Sequence, residues 1–93
     1  MPHYCYIIYS KLLDRFYVGE TSDFEQRLLF HNVGHSEYTS KANDWELYLL
    51  IECPHKQMAS NIEKHIKSMK SVKYIKNLVV YPQIVTNLKT RFS

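Results

Sequence analysis

Alternating apolar and polar stretches along the chain predict three strands. Residues 4–10 (YCYIIYS) are aromatic and β-branched, which is the composition of a largely buried strand. A polar turn separates them from residues 15–19, a second short strand that we expect to pair with the first as an antiparallel hairpin. Residues 45–53 (WELYLLIEC) predict a third strand that is long enough to be central, and Pro54 ends it.

A capping pattern predicts the first helix. Ser22 is followed three residues later by Glu25, which matches a capping box. The helix should run to about Asn32 and stop at Gly34, where a residue that is free to adopt positive φ is expected.

Apolar residues at helical spacing predict a second helix that begins at Lys56. Its apolar face consists of Met58, Ile62, Ile66 and Met69. A shorter third helix should run from about Ser71 to about Val80 and close at Pro82. Residues 82–93 have no clear pattern, and we treat them as a tail.

The predicted order β-β-α-β-α-α defines an α+β fold, a small three-stranded, mainly antiparallel sheet flanked by helices. The 93 residues suit one domain, which we place at residues 1–81, with residues 82–93 as a C-terminal tail. No stretch approaches the roughly 20 apolar residues of a membrane span, and no secretory signal pattern is present. We therefore expect a cytoplasmic protein without a membrane-spanning segment.

The net charge of +3 is unevenly distributed along the chain. Residues 1–53 hold four Lys/Arg and eight Asp/Glu, whereas residues 54–93 hold eight Lys/Arg and one acid. Lysines recur at every third position of the basic half: Lys64, Lys67, Lys70, Lys73 and Lys76. These lysines fit two interpretations, a solvated surface or a phosphate-binding ridge that gains free energy by releasing counterions from nucleic acid.

Cysteine and histidine spacing does not predict zinc. Cys5 and Cys53 form no CxxC pair, and two such thiols are typical of small buried hydrophobic side chains. His31 and His35 have metal-ligand spacing, but Gly34 between them should end the helix.

The hairpin and the helices place several chemically useful side chains. Gly19 follows Tyr17 at the end of a strand, where a missing side chain usually marks close approach by a ligand or another backbone. Arg27 and His31 are i, i+4 neighbours on one side of the first helix, near its buried edge. Glu63 lies at the margin of the second helix's apolar face, where a partly desolvated carboxylate favours a cation or a metal.

Each of these residues alone has an ordinary structural explanation, such as an edge tyrosine or a solvated charge. Their combination is one that packing does not require, and it points to phosphate chemistry.

These segments resemble the GIY-YIG nucleases, in particular short stand-alone members similar to the nuclease domain of the excinuclease. The resemblance covers about residues 4–79. The matching segments are residues 17–19 (YVG, the second named motif), 21–28 (TSDFEQRL), 31–32 (HN), 38–41 (YTSK), 45–47 (WEL) and 59–67 (ASNIEKHIK).

The first named motif has two possible alignments. Residues 4–6 (YCY) occupy the place of Gly-Ile-Tyr, and residues 7–9 (IIY) are the alternative. The second alignment leaves only seven residues before Tyr17, which is a tight fit for two paired strands and a turn. We therefore take Tyr6 as the motif tyrosine and keep Tyr9 in reserve.

The resemblance implies a DNA endonuclease that depends on Mg²⁺ or Mn²⁺. It implies that Glu63 holds the metal, that Tyr6 or Tyr17 takes or relays a proton from the attacking water, and that Arg27 pairs with a phosphate oxygen. His31 would orient a tyrosine or the phosphate. The candidate catalytic residues are therefore Tyr6, Tyr17, Arg27, His31 and Glu63.

The resemblance further implies that lysines hold the DNA backbone, and the candidates are Lys41, Lys64, Lys67, Lys70 and Lys73. Family members often take specificity from a second module, so we expect a structure-selective role in DNA repair or recombination, or a protein partner that supplies specificity. A non-catalytic nucleic-acid-binding module of the same fold is the main alternative. A protein-interaction domain with an acidic partner is a third.

Overall fold

Three strands and four α-helices make up most of residues 1–34 and 38–93, the parts of the chain that the computed structural model describes. The strands are β1 (His3–Ser10), β2 (Arg15–Thr21) and β3 (Glu46–Cys53), and the helices are α1 (Phe24–Asn32), α2 (Lys56–Met69), α3 (Val72–Val80) and α4 (Gln83–Arg91). A short 3₁₀ turn, Thr39–Lys41, precedes β3. This order confirms the predicted α+β fold and adds one helix at its C-terminal end.

The central strand of the sheet is β1, which pairs antiparallel with β2 on one side and with β3 on the other. Residues 5–8 of β1 are all buried, because side chains of helices pack against both faces of the strand. The prediction that the third strand is central is wrong. β3 is an edge strand, and its Leu47 and Leu50 are 46% and 38% exposed.

Apolar side chains pack on both sides of this sheet. The larger cluster contains Cys5, Ile7, Val18, Ile51, Cys53, Met58, Ala59, Ile62, Ile66, Ile75, Leu78 and Leu88, and so joins the sheet to α2, α3 and α4. On the other side, Tyr6, Ile8 and Trp45 pack against Phe24 and Leu28 of α1. The sheet therefore lies between helices, and Tyr6 is on the side of α1.

The ends of α1 and α2 differ in part from the prediction. Asp23, not Ser22, is the N-cap of α1, and its carboxylate accepts a hydrogen bond from the backbone N–H three residues later. Gly34 has a φ of +83°, as predicted for the residue that stops α1. Met69 is 44% exposed and not part of the core, because the left-handed Lys70 ends α2 immediately after it.

The C-terminal stretch without a clear pattern forms α4. Leu88 of α4 is buried in the larger cluster, and the Phe92 ring lies 5.9 Å from the His65 ring of α2. Residues 83–92 thus contribute to the core on the α2 side of the sheet.

Over the two described stretches, no helix has both the length and the apolar character needed to cross a bilayer. His35, considered above for its spacing from His31, lies outside the described residues.

Candidate active site

The ring of Tyr6 crosses β2 at Gly19, its register partner in the sheet. A Cβ added to Gly19 would lie 2.5 Å from Cζ of Tyr6 and closer still to the hydroxyl. The strand can accept the ring only if this position has no side chain. The close approach predicted at Gly19 is therefore made by the Tyr6 side chain, and neither a ligand nor another backbone is needed to explain the glycine.

A buried chain of hydrogen bonds begins at the Tyr6 hydroxyl, which lies 2.8 Å from Nε2 of His31. Nδ1 of the same imidazole lies 2.7 Å from Oγ1 of Thr39. The indole N–H of Trp45 donates to the carbonyl oxygen of Thr39 at 2.9 Å. All four residues are buried, so the chain fixes the phenol and the imidazole in one arrangement.

Burial makes both members of the Tyr6–His31 pair neutral at pH 7. Desolvation, together with a smaller effect of the nearby Arg27 guanidinium, lowers the pKa of His31 to about 4. Burial raises the pKa of the Tyr6 phenol well above its ordinary value, and Tyr17 raises it as well. The charges of Arg27 and Glu63 also act on this phenol, the first lowering its pKa and the second raising it. Both charges therefore lie within electrostatic reach of Tyr6.

Tyr17 of β2 packs beside this pair. Its ring centroid lies 4.9 Å from that of His31 and 6.4 Å from that of Tyr6, and the ring of Tyr38 lies 5.5 Å away. Tyr17 is only partly buried, whereas Tyr6 is buried. Two phenols and an imidazole thus share one site, and Tyr17 is the more accessible of the two phenols.

The spacing of Arg27 from His31 predicted that it lies near the buried edge of α1, and this prediction is wrong. The residue is exposed and lines a surface concavity of about 310 Å³ beside the first turn of the helix. Its guanidinium carbon lies 5.1 Å from the centre of the Phe30 ring. The short helix buries a narrow face, so two residues one turn apart differ in exposure. An exposed guanidinium whose charge still reaches Tyr6 is free to bind an external anion.

Glu63 of α2 is paired with Lys67, its i+4 neighbour, at 2.7 Å between Oε2 and Nζ. The Glu63 side chain is 18% exposed and that of Lys67 is 47% exposed, which agrees with the predicted position at the margin of the apolar face. The Lys67 ammonium also lies 5.5 Å from the centre of the Tyr17 ring. The ammonium therefore connects the acid of α2 to the tyrosine of β2, a contact that the spacing of the lysines does not predict.

The lysines do not form a single ridge. Lys67 is at the site, while Lys76 lines a cavity of about 250 Å³ with Tyr9 and Asp14, on the side of the sheet that α3 covers. The remaining candidates are exposed and lie on three elements: Lys41 on the 3₁₀ turn, Lys64 on α2 with Lys70 at its C-cap, and Lys73 on α3. Lys64 and Lys67 are i, i+3 neighbours on α2, but the left-handed Lys70 ends that helix and Lys73 belongs to α3, so the series does not follow one helix face.

Tyr9, the alternative first-motif tyrosine, is away from this site. Its hydroxyl donates to Asp14 at 2.5 Å, and its ring packs against Phe16 at 4.8 Å. Tyr6 is therefore the tyrosine of the two that contacts Tyr17 and His31.

The donor set near Tyr17 is compatible with a hard divalent cation held by one carboxylate. Within residues 1–34 and 38–93, no group of three or more His, Cys, Asp or Glu side chains has the arrangement of a metal site. Glu63 supplies carboxylate oxygens, the ligands that Mg²⁺ and Mn²⁺ prefer, and such ions commonly keep several waters and bind substrate phosphate as well. The residues present thus fit one of these ions with a single protein ligand, and do not fit zinc.

The sequence of this chain matches that of a known family. The profile of the GIY-YIG catalytic domain matches residues 2–75, so the chain belongs to the GIY-YIG nuclease family, whose members generally use divalent metals. This confirms the resemblance found in the sequence.

Among solved structures, the chain is similar to the UPF0213 protein BH0048 from Bacillus halodurans, determined by NMR in solution. The two are 29% identical, the match covers 92% of this chain and 94% of that one, and the TM-score is 0.55. No curated protein matches the chain.

Proposed function

We propose that this protein is a divalent-metal-dependent DNA endonuclease that hydrolyses phosphodiester bonds. The observation that carries the proposal is the gathering of side chains from β1, β2, α1 and α2 around the Tyr6 phenol. Tyr17 and His31 contact its ring. Lys67, which is paired with Glu63, lies over the Tyr17 ring. The charge of Arg27 lowers the pKa of the Tyr6 phenol. Membership in the GIY-YIG family supports the same reaction and DNA as its substrate.

Glu63 would hold one Mg²⁺ or Mn²⁺ through a carboxylate oxygen. A divalent ion supplies Lewis-acid stabilisation of the charge that develops on phosphate and leaving-group oxygens. Lys67 must leave the carboxylate or share it, because its ammonium now lies 2.7 Å from Oε2.

The Tyr6–His31 pair would handle the proton of the attacking water. In the tautomer with the proton on Nδ1, His31 donates to Thr39 and accepts the Tyr6 hydroxyl proton at Nε2. A phenol with a raised pKa is not ionised at pH 7, so it accepts a proton only as it passes its own to the imidazole. His31 is then a positioning residue that acts through Tyr6, and the accessible Tyr17 orients the water.

Arg27 would bind a non-bridging oxygen of the scissile phosphate. An exposed guanidinium close enough to affect the Tyr6 phenol suits the charge that builds up during hydrolysis. The backbone contacts of the DNA fall to the exposed lysines, namely Lys41, Lys64, Lys67, Lys70 and Lys73.

A structure-selective role in DNA repair or recombination, with a partner protein that adds specificity, is the biological setting we propose. The buried, unpaired thiols of Cys5 and Cys53 fit a reducing compartment such as the cytoplasm.

A second candidate is a DNA-binding module of the same fold that does not cleave. The Glu63–Lys67 contact favours it, because a carboxylate already neutralised by an ammonium binds a metal ion less readily. The two functions share DNA affinity and differ only in cleavage.

A nicking assay separates these functions. Wild type and Glu63→Gln should be incubated with linear, flapped and branched DNA in Mg²⁺, Mn²⁺ or EDTA. We expect metal-dependent cleavage by wild type, a loss of at least about 100-fold in the variant, and DNA binding that is little changed. Glu46→Gln, which removes an exposed acid at the start of β3, is the matched control. Equal cleavage by Glu63→Gln and wild type would show that Glu63 is not the metal ligand, and no cleavage by wild type would favour the binding module.

A further inference from the structure

A basic and aromatic concavity lies next to the candidate active site. Its volume is about 410 Å³, and it is lined by Leu13, Arg15, Tyr38 and Lys41. Leu13 packs against the cluster that contains Tyr6, so the concavity is on the α1 side of the sheet. None of the residues given a catalytic role above lines it.

Tyr38 connects this concavity to the active site. Its ring lies 5.5 Å from that of Tyr17, with an angle of 34° between the two planes. Tyr38 is nevertheless 51% exposed, so much of its ring remains open to a further partner. Because Tyr17 in turn packs on His31, Tyr38 is the outer member of a series of rings that begins at the buried imidazole.

The charge of the concavity is positive. Arg15 and Lys41 are both exposed, and neither forms an ion pair with any residue in the described stretches. Arg15 precedes Tyr17 by two residues in β2, which places both side chains on one face of the strand, about 7 Å apart along it. An anion held by Arg15 would therefore lie one strand repeat from the phenol that we place in the active site.

We propose that this concavity binds the nucleotide adjacent to the scissile phosphate, with its base stacked on Tyr38 and its phosphate held between Arg15 and Lys41. The inference rests on the proposed nuclease function. An aromatic face beside cations is how proteins bind unstacked bases together with their backbone. Base faces in an intact duplex are covered by their neighbours, so the subsite selects DNA in which this nucleotide is unpaired, as at a flap, a gap or an overhang.

Binding measurements in EDTA test the stacking without cleavage. Fluorescence anisotropy should compare a blunt duplex with the same duplex carrying a five-nucleotide overhang, for wild type, Tyr38→Ala and Tyr38→Phe. We expect Tyr38→Ala to weaken binding of the overhang DNA by about 5- to 100-fold, Tyr38→Phe to retain most of the affinity, and blunt-duplex binding to change little. Tyr81→Ala is the matched control, because Tyr81 is 49% exposed at the C-terminal end of α3.

The charge contribution is tested by salt dependence. Arg15→Gln and Lys41→Gln should each lower the slope of log Kd against log salt by about 0.7–0.9 for the overhang DNA. 2-Aminopurine placed in the overhang, next to the duplex, should report the stack by a fluorescence change that Tyr38→Ala abolishes. Circular dichroism melts establish that each variant is folded.

Two results would overturn the inference. If Tyr38→Ala and wild type bind the overhang DNA equally while wild type still nicks DNA, the subsite is wrong and the nuclease proposal stands. If wild type neither binds nor cleaves any of these DNAs, the proposed function fails and the subsite fails with it.

Discussion

The hydroxyl of Tyr6 lies 2.8 Å from Nε2 of His31, and both side chains are 2% exposed. One residue comes from the central strand and the other from the last turn of α1, so the contact joins the sheet to the helix beside the candidate active site. Because both groups are buried and neutral, the pair contributes to stability as well as to the proposed chemistry. The Tyr6–His31 pair can therefore be tested by stability measurements that do not depend on catalysis.

Stability should fall as the pH falls from 6.5 to about 4. Burial lowers the pKa of folded His31 to about 4 from an ordinary value of 6.5, so the unfolded chain binds a proton there that the folded protein does not. The loss from this residue is about 2 kcal/mol between pH 7 and pH 5. Urea unfolding at the two pH values should show a loss that is larger in wild type than in His31→Gln by this amount, because the partly buried His65 contributes in both proteins. An equal pH effect in both proteins would exclude His31 as its source.

Tyr6→Phe should lose both stability and cleavage. The change removes the hydroxyl and leaves Nε2 of His31 buried without this partner, at a cost of about 1–3 kcal/mol. Cleavage should fall at least about 100-fold if the phenol relays the proton. Tyr9→Phe is the control, because the Tyr9 hydroxyl bonds an exposed aspartate elsewhere. Full cleavage by folded Tyr6→Phe would assign the proton transfer to Tyr17.

Gly19→Ala should be strongly destabilising for a steric reason. The new methyl group would overlap the Tyr6 ring, and an enlarged side chain in a packed site typically costs about 1–3 kcal/mol. If the ring is the cause, the same substitution made in a Tyr6→Ala background should cost much less. A double-mutant cycle from denaturant unfolding measures this coupling. An unchanged cost in that background would indicate a backbone requirement at Gly19 instead.

Most of the fold could be predicted from the sequence because its signals are local. The hairpin, the start of α2 at Lys56 and the stop at Gly34 each depend on a few adjacent residues. The order of strands in the sheet does not depend on adjacent residues. The central strand is β1, which is buried on both faces, and the length of the third strand does not decide the order. The helix α4 does have a signal, since Ile84, Leu88 and Phe92 recur every four residues.

The candidate site was partly predictable for the same reason. Tyr17 and His31 lie within one strand–loop–helix segment, so their proximity follows from its geometry. The Thr39 contact with His31 exists only after the chain has folded back, and nothing in the local sequence indicates it. The four-residue spacing between Glu63 and Lys67 is visible in the sequence, but the contact of Lys67 with Tyr17 depends on how α2 packs against β2.

Lys67→Gln should increase the affinity of Glu63 for a divalent ion. In the folded protein the Lys67 ammonium occupies the carboxylate, so a metal ion must compete with it. A partly exposed pair of this kind is worth about 0.2–1 kcal/mol, which corresponds to roughly 1.4- to 5-fold tighter binding of Mn²⁺ in the variant. Electron paramagnetic resonance of free Mn²⁺ measures the affinity without DNA. Lys64→Gln removes an exposed lysine from the same helix and controls for net charge. An equal gain in both variants would show that the effect comes from overall charge, and weaker binding by Lys67→Gln would mean that the ammonium positions the carboxylate for the metal.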